Sequence, residues 1–194
     1  MRYRLFFLFT GLLQIVAAQT NYSDSVSKLR EQHFTELKDT ASGILMRDEI
    51  REFQGLNYFE IDENFKVQAT FTRSRGKKFE MATSTARLPV YRRYGYLDFV
   101  IDGQNCRLTI YESMDFKDYL FIPFRDANTG HETYGAGRYL DIPVPDGHIV
   151  VLDFNLAYNP YCAYSVRYSC PIAPVENTLK VAVNAGEKVP AGHE

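Results

Sequence analysis

Phe65-Lys66-Val67-Gln68-Ala69-Thr70-Phe71-Thr72 is the stretch whose reading decides the fold class. Apolar residues at 65, 67, 69 and 71 alternate with polar ones at 66, 68, 70 and 72. An extended chain turns successive side chains to opposite faces, so this pattern predicts a half-buried strand. Working downstream, Arg73 to Lys77 forms a basic turn around Gly76, and Lys78 to Thr83 returns as the next strand. Arg92 to Ile101 and Asn105 to Glu112 flank Asp102-Gly103, a pair that tolerates the positive φ angles of a tight hairpin. Residues 119–124, 149–155, 164–169 and 178–184 supply further strands. Ile149-Val150-Val151-Leu152 is continuously apolar, which predicts a central strand covered on both faces. Many short strands joined by turns make the chain mainly β, a single antiparallel β-sandwich or barrel, and both architectures stay open.

Upstream of Leu56 the period changes. Val26, Leu29, His33 and Leu37 recur at steps of three and four, with Phe34 beside them, which predicts a helix over 22–38. A shorter helix is expected over 47–54, with Asp48 and Glu49 in its first turn. The domain therefore carries one or two N-terminal helices. At the very start, Arg2 and Arg4 precede an apolar run from Leu5 to Val16, and Val16-Ala17-Ala18 offers small residues to a signal peptidase. The run is shorter than the roughly 20 residues a spanning helix needs. The expected organisation is a signal peptide over 1–18, a helical segment over 19–55, a β-rich domain over 56–188 and a flexible tail over 189–194. Export to the periplasm or beyond follows, with no transmembrane span in the mature chain.

The formal charge is −2, from 22 basic and 24 acidic residues, and becomes −4 once Arg2 and Arg4 are lost. No basic stripe accompanies it, so nucleic acid is excluded as an expected partner. Aromatic content is 14%, all Tyr and Phe with no Trp. Such residues favour strands, and Tyr puts a hydroxyl at the edge of an apolar surface.

Polar and glycine-rich residues concentrate in Phe121-Ile122-Pro123-Phe124-Arg125-Asp126, in Thr129-Gly130-His131-Glu132-Thr133-Tyr134-Gly135-Ala136-Gly137-Arg138-Tyr139-Leu140-Asp141, in Asp153-Phe154-Asn155-Leu156-Ala157-Tyr158-Asn159-Pro160-Tyr161-Cys162 and in Cys170-Pro171-Ile172-Ala173-Pro174-Val175-Glu176-Asn177. Here, and at Ala185-Gly186-Glu187-Lys188, the chain resembles the family called domain of unknown function 1684, over about Leu56 to Lys188. The resemblance implies a bacterial source and a shared fold. It implies no activity, so no residue inherits a role.

The residues themselves narrow the chemistry. Asp126 to Glu132 spaces oxygen side chains by two, but His131 stands where a calcium loop needs glycine and Gly137 where it needs a bidentate Glu. No His pair has zinc spacing, Gly135-Ala136-Gly137 opens no nucleotide-binding helix, and no Ser sits in a Gly-flanked elbow. No metal or cofactor is expected. Candidate binding residues are Asp126, Glu132, Tyr134, Arg138, Asp153, Asn155, Tyr158 and Asn159, grouped where the 149–155 strand ends and expected in one hydrogen-bonded cluster. Three functions remain: a non-catalytic module for a small polar ligand, a glycan or an envelope protein; a structural domain in which these residues pin loops together; and a glycosidase-like hydrolase using two of Asp126, Glu132, Asp141 and Asp153. Export to an oxidising compartment, with Asn159-Pro160 and Pro171 turning the chain, predicts a Cys162–Cys170 disulfide and leaves Cys106 as a buried thiol.

Overall fold

The computed structural model describes residues 7–191, with side chains from residue 21 onward. Parts of the expected leader (1–18) and tail (189–194) therefore lie outside the described residues. Helix α1 runs Phe7–Lys38 and α2 Arg47–Glu52. Seven strands follow: β1 Lys66–Arg73, β2 Lys78–Glu80, β3 Val90–Ile101, β4 Gln104–Ser113, β5 Leu120–Phe124, β6 Arg138–Ile142 and β7 Ile149–Asp153. They form one antiparallel sheet in the order β6-β5-β4-β3-β1-β7, with β2 on the end of β3.

β1 alternates as its sequence demands, with Ala69 and Phe71 buried and Lys66, Gln68, Thr70 and Thr72 exposed. The β3–β4 hairpin turns on Asp102 (φ 49°) and Gly103 (φ 71°), both in the left-handed region that a two-residue turn requires. The sheet curls into a half-barrel. On a flat sheet the four strand spacings from β5 to β7 would cover about 19 Å. Yet the rings of Phe124, ending β5, and Phe154, following β7, are 5.4 Å apart. Inside the curl Leu97, Leu108, Ile110, Ile122, Leu140, Leu152 and Phe154 form the main core.

Three strand expectations are corrected. β7 is an edge strand, not a central one: it pairs only with β1, and Ile149 and Val151 are 59% and 52% exposed. The strand covered on both faces is β5, whose five residues are all buried. Residues 164–169 form no strand. A 3₁₀ turn at Tyr161–Ala163 leads into this segment, and the hydroxyls of Tyr164 and Tyr168 anchor it to Glu187 and the Ile44 carbonyl.

Residues 178–184 keep their alternation without a ladder. Leu179, Val181, Val183 and Ala185 are buried across the mouth of the curl, but the carbonyls of Val183 and Ala185 are met by the Arg138 guanidinium rather than by a strand. β6 carries no alternation of its own that marks it as a strand; its register is set by β5, with Phe121 facing Asp141 and Pro123 facing Tyr139.

A bulge between Arg93 and Gly95 gives the sheet a second packed face. Leu97, Phe99 and Ile101 point inward, and strict alternation would send Tyr91 the same way. The extra residue reverses parity, so Tyr91 stands opposite Ser113 on the outer face. There Tyr91, Tyr111, Phe121 and Tyr139, one from each of four adjacent strands, pack with Met81. α1 docks through Val26 and Leu37, both buried, while Leu29 of the expected apolar face is 47% exposed. Among the described residues no helix is long and apolar enough to cross a membrane.

Candidate functional site

The eight residues singled out from sequence do not form one cluster. Five of them build three internal nodes, Tyr158 borders a cleft, Tyr134 lies against Cys162, and Glu132 is exposed.

The first node is the buried ion pair of Arg138 and Asp126, 2.6 Å apart with each side chain 1% exposed. Gly137 sets it up. Its φ is +95°, and a Cβ there would lie 2.6 Å from the Phe124 carbonyl, so only glycine lets β6 start against the end of β5. Arg138 also donates to the carbonyls of Val183, Ala185 and Glu187. Asp126 accepts from the Asn128 N–H (2.7 Å) and the Thr133 hydroxyl (3.2 Å). Burial pulls the guanidinium's pKa down and Asp126 pushes it back. The pair clamps the C-terminal segment into the half-barrel.

The second node is Asn155, fully buried in the 3₁₀ turn after β7. Its Oδ1 accepts the Asp62 N–H (3.0 Å), and its Nδ2 donates to the Asp62 carbonyl (2.8 Å), Asp153 (3.1 Å) and the Tyr22 hydroxyl (3.0 Å). Tyr22 donates in turn to Asp153 at 2.9 Å. Arg30 reaches the Asn155 carbonyl (3.1 Å) and the Phe59 carbonyl (3.0 Å). Asp153 and Asn155 thus fasten α1 to the sheet.

The third node centres on Glu187, which is fully buried and was missed from sequence. It accepts from the Asn159 N–H (2.8 Å) and from the hydroxyls of Tyr164 (2.6 Å) and Tyr58 (3.3 Å), and His33 Nε2 stands 3.3 Å away. Burial, reinforced by the carboxylate, pushes the Tyr164 and Tyr58 hydroxyls far above their ordinary range. Gly186 (φ +77°) permits this, since a Cβ would meet the Phe154 and Ala157 carbonyls at 2.6 Å.

Glu132 is exposed; its carboxylate accepts from Asn128 (3.1 Å) and its backbone carbonyl from the Val189 N–H (2.9 Å). Tyr134 lies against Cys162. The Cys162–Cys170 disulfide is not formed in this structure: all three cysteines are free thiols. The two side chains are nonetheless in contact, with the Cys162 N–H 3.2 Å from Cys170 Sγ. The Cys170 thiol, Ser84 and Tyr134 hydrogen-bond Cys162 and bring its pKa down to about 6, against the opposing effect of burial. Cys170 is pushed far up, first by that same thiol contact and then by burial.

Tyr158 leads to the cleft. It pairs backbone to backbone with Tyr139 on the free edge of β6 (2.8 and 3.1 Å). That pairing brings residues 158–171 over the outer sheet face. Between them lies an open cleft of about 760 Å³, bordered by α1 at His33 and Glu36. One wall is a run of ring contacts: Tyr91 to Phe121 (5.5 Å), Phe121 to Tyr139 (4.7 Å), Tyr139 to Tyr158 (5.7 Å) and Tyr158 to His33 (5.8 Å). Tyr161 and Tyr168, 5.2 Å apart, line it from the other side, with Tyr119 and Phe116 at the mouth. Tyr158 donates to Asp141 Oδ2 at 2.5 Å. Asp141 is itself exposed at the cleft, yet the crowding of these rings around its carboxyl desolvates it enough to raise it to about 6, opposed by the Tyr158 bond. The hydroxyls of Tyr91, Tyr119 and Tyr161 make no hydrogen bond to another described residue. Burial raises the Tyr91 and Tyr161 pKa values to about 12, so both are neutral donors at ordinary pH. Of the four carboxylates considered for catalysis, Asp141 alone lies here. The available signal is the tyrosine spacing at 158, 161 and 168. Among the described residues no group of three or more His, Cys, Asp and Glu is arranged to hold a metal.

Half-barrel sheet, buried ionic clamp and aromatic outer cleft define a mainly β domain with one cleft-bearing face. The chain belongs to the family described as protein of unknown function (DUF1684), whose model matches residues 51–188. It is similar to an uncharacterized protein of Haloarcula marismortui solved by solution NMR, at 33% identity and a TM-score of 0.70, covering 91% of this chain and 99% of that one. No curated protein matches the chain.

Proposed function

We propose that this chain is an exported, non-catalytic binding domain whose outer cleft takes a small ligand with an apolar or aromatic body. One observation carries this: the aromatic cleft retains three tyrosine hydroxyls not engaged by described residues, whereas the Asn155 amide and the Arg138–Asp126 pair are taken up by internal bonds. Its volume of about 760 Å³ lies in the range of small-molecule sites. The export signal supports the location, and the docking contacts of α1 from Tyr22 onward lie downstream of the cleavage point before Gln19. In an oxidising compartment the neighbouring Cys162 and Cys170 would join under the cleft wall.

A thermal-shift screen of the full chain against small amphiphiles, sugars and peptides tests the reading. Binders should lose their shift in Tyr119→Ala and Tyr161→Ala while the unliganded melting point moves little. Binders that ignore both substitutions would show that the cleft is not the site. The second reading, glycoside hydrolysis, is favoured by one feature: Asp141, with its raised pKa, and Glu36 both border the cleft. Turnover of an aryl glycoside that disappears in Asp141→Asn would select it.

A further inference from the structure

Asp141 is a carboxylate set among rings without a cation. Among the described residues no Lys, Arg or His lies within ion-pair distance of it. Only burial and the Tyr158 hydroxyl bear on its ionisation; no positive group does. Arg167 is turned to Glu49 (3.4 Å) and the Ile44 carbonyl (2.9 Å), and His33 to Glu187 (3.3 Å). Arg87 stays on the cleft wall, where it donates to the Ser169 carbonyl (3.2 Å), and its charge acts on Tyr91 and not on Asp141.

The surroundings of Asp141 are aromatic on several sides. Phe121 stands directly across the β5–β6 ladder, and Tyr158 donates to the carboxylate from the covering segment. Tyr91, Tyr119 and Tyr161 are close enough for its charge to raise their hydroxyls further. Ring faces carry negative quadrupole potential, so rings grouped around one carboxylate attract a cation at short range. A bare metal ion or a primary ammonium needs several oxygen or nitrogen acceptors to replace its water. Here Asp141 already spends one oxygen on Tyr158, and the remaining wall is mostly carbon. A methylated ammonium is weakly hydrated and presents apolar methyl groups to rings while keeping its charge.

We propose that the cleft binds a small organic cation bearing a methylated ammonium group, caged by Tyr91, Tyr119, Tyr158 and Tyr161 against the Asp141 carboxylate, an assignment that rests on the cleft being a ligand site at all. The cleft volume of about 760 Å³ leaves room beyond the head group for a body lying along Tyr139 and Tyr168. Glu36 on the α1 rim adds a second negative charge at the entrance.

Titration calorimetry on the full chain tests this with choline and its neutral carbon isostere dimethylbutanol, which share shape and differ in charge. Choline should bind about tenfold more tightly than the isostere, the size of one cation–π and charge contribution. Asp141→Asn should remove most of that preference. Tyr119→Ala should weaken choline several-fold, and Tyr158→Phe should retain most of its binding, since the ring stays. A circular dichroism melt of each variant confirms folding. Equal affinity for choline and isostere, or choline binding that survives Asp141→Asn, would overturn the cation assignment. Benzoate or a neutral sugar occupying the cleft while choline does not would overturn it too, yet leave the binding-domain reading standing. Failure of every probe and library compound to bind would sink both.

Discussion

Asp141 gives the folded protein a pH dependence with a defined sign. Its carboxyl moves from 3.8 up to about 6 on folding. Between those values the folded state holds a proton that the unfolded state has released, so stability falls as pH rises through that window. The facing groups are the Tyr158, Tyr91, Tyr119 and Tyr161 hydroxyls of the sheet and covering segment, His33 and Glu36 of α1, and Arg87 and Arg167 on the rim. Asp141→Asn should flatten this part of the Tm-against-pH curve without lowering Tm at pH 7; a variant that keeps the slope would assign it to another group. Arg138 behaves oppositely, as half of a pair. Arg138→Met leaves Asp126 buried and uncompensated and should cost about 3 to 5 kcal/mol in urea unfolding. Adding Asp126→Leu should return part of that loss, because the unpaired charge goes with it. A loss below about 1 kcal/mol, within the range of an exposed pair, would mean the clamp is not buried in solution.

At the level of elements, side-chain amides stand in for missing strand contacts. β4 and β5 share a single paired register position, Tyr111 with Phe121. Asn177 bridges the gap, accepting the Thr109 N–H (2.8 Å) and donating to the carbonyls of Thr109 (2.9 Å) and Pro123 (2.8 Å). Asn155 does the same between β7, α1 and the 59–62 segment. Asn155→Ala strands the Asp62 backbone groups it satisfies and should cost about 2 to 3 kcal/mol. The loss should be local: hydrogen exchange should quicken in 22–38 and 59–65 and stay slow in the β3–β4 hairpin. Uniform acceleration across the sheet would show that α1 and the half-barrel open as one unit. The element boundaries read from sequence hold best where one face alone is buried, as in β1, because alternation is then unambiguous. At 149–152 the strand forms where expected, and only its central placement fails. A run of β-branched residues fits both a covered central strand and an edge strand with an exposed apolar face, and only the pairing order separates them.

Across the whole molecule, the export expectation and the thiol pair are tested together. Protein recovered from the compartment outside the cytoplasm should have an intact mass beginning at Gln19. Unreduced peptide mapping should join Cys162 to Cys170 and leave Cys106 free. In the chain-entropy model so short a loop adds about 2 to 3 kcal/mol, so mild reductant should lower Tm. A mature chain retaining Arg2 and Arg4, or a bridge through Cys106, would refute the expectation.

Composition and periodicity alone determined the mainly β class, the N-terminal helix and the Asp102-Gly103 hairpin, because each follows from residues close in the chain, while the family showed in the resemblance of the polar and glycine-rich segments. The same reading reached Asp126, Arg138, Asp153, Asn155 and Asn159 as residues needing partners, since buried polar groups must be paired. What the partners are, and therefore whether these residues serve a ligand or the fold, depended on Tyr22, Asp62, Val183 and Glu187, far away in sequence. The cleft was less legible still. Tyr91 reaches the outer face only because a bulge reverses the parity of β3, and Asp141 meets its tyrosines only because the sheet curls and residue 158 closes onto β6. Strand parity, curl and edge pairing are set by long-range backbone contacts, so tertiary structure alone decided where the aromatic side chains converge.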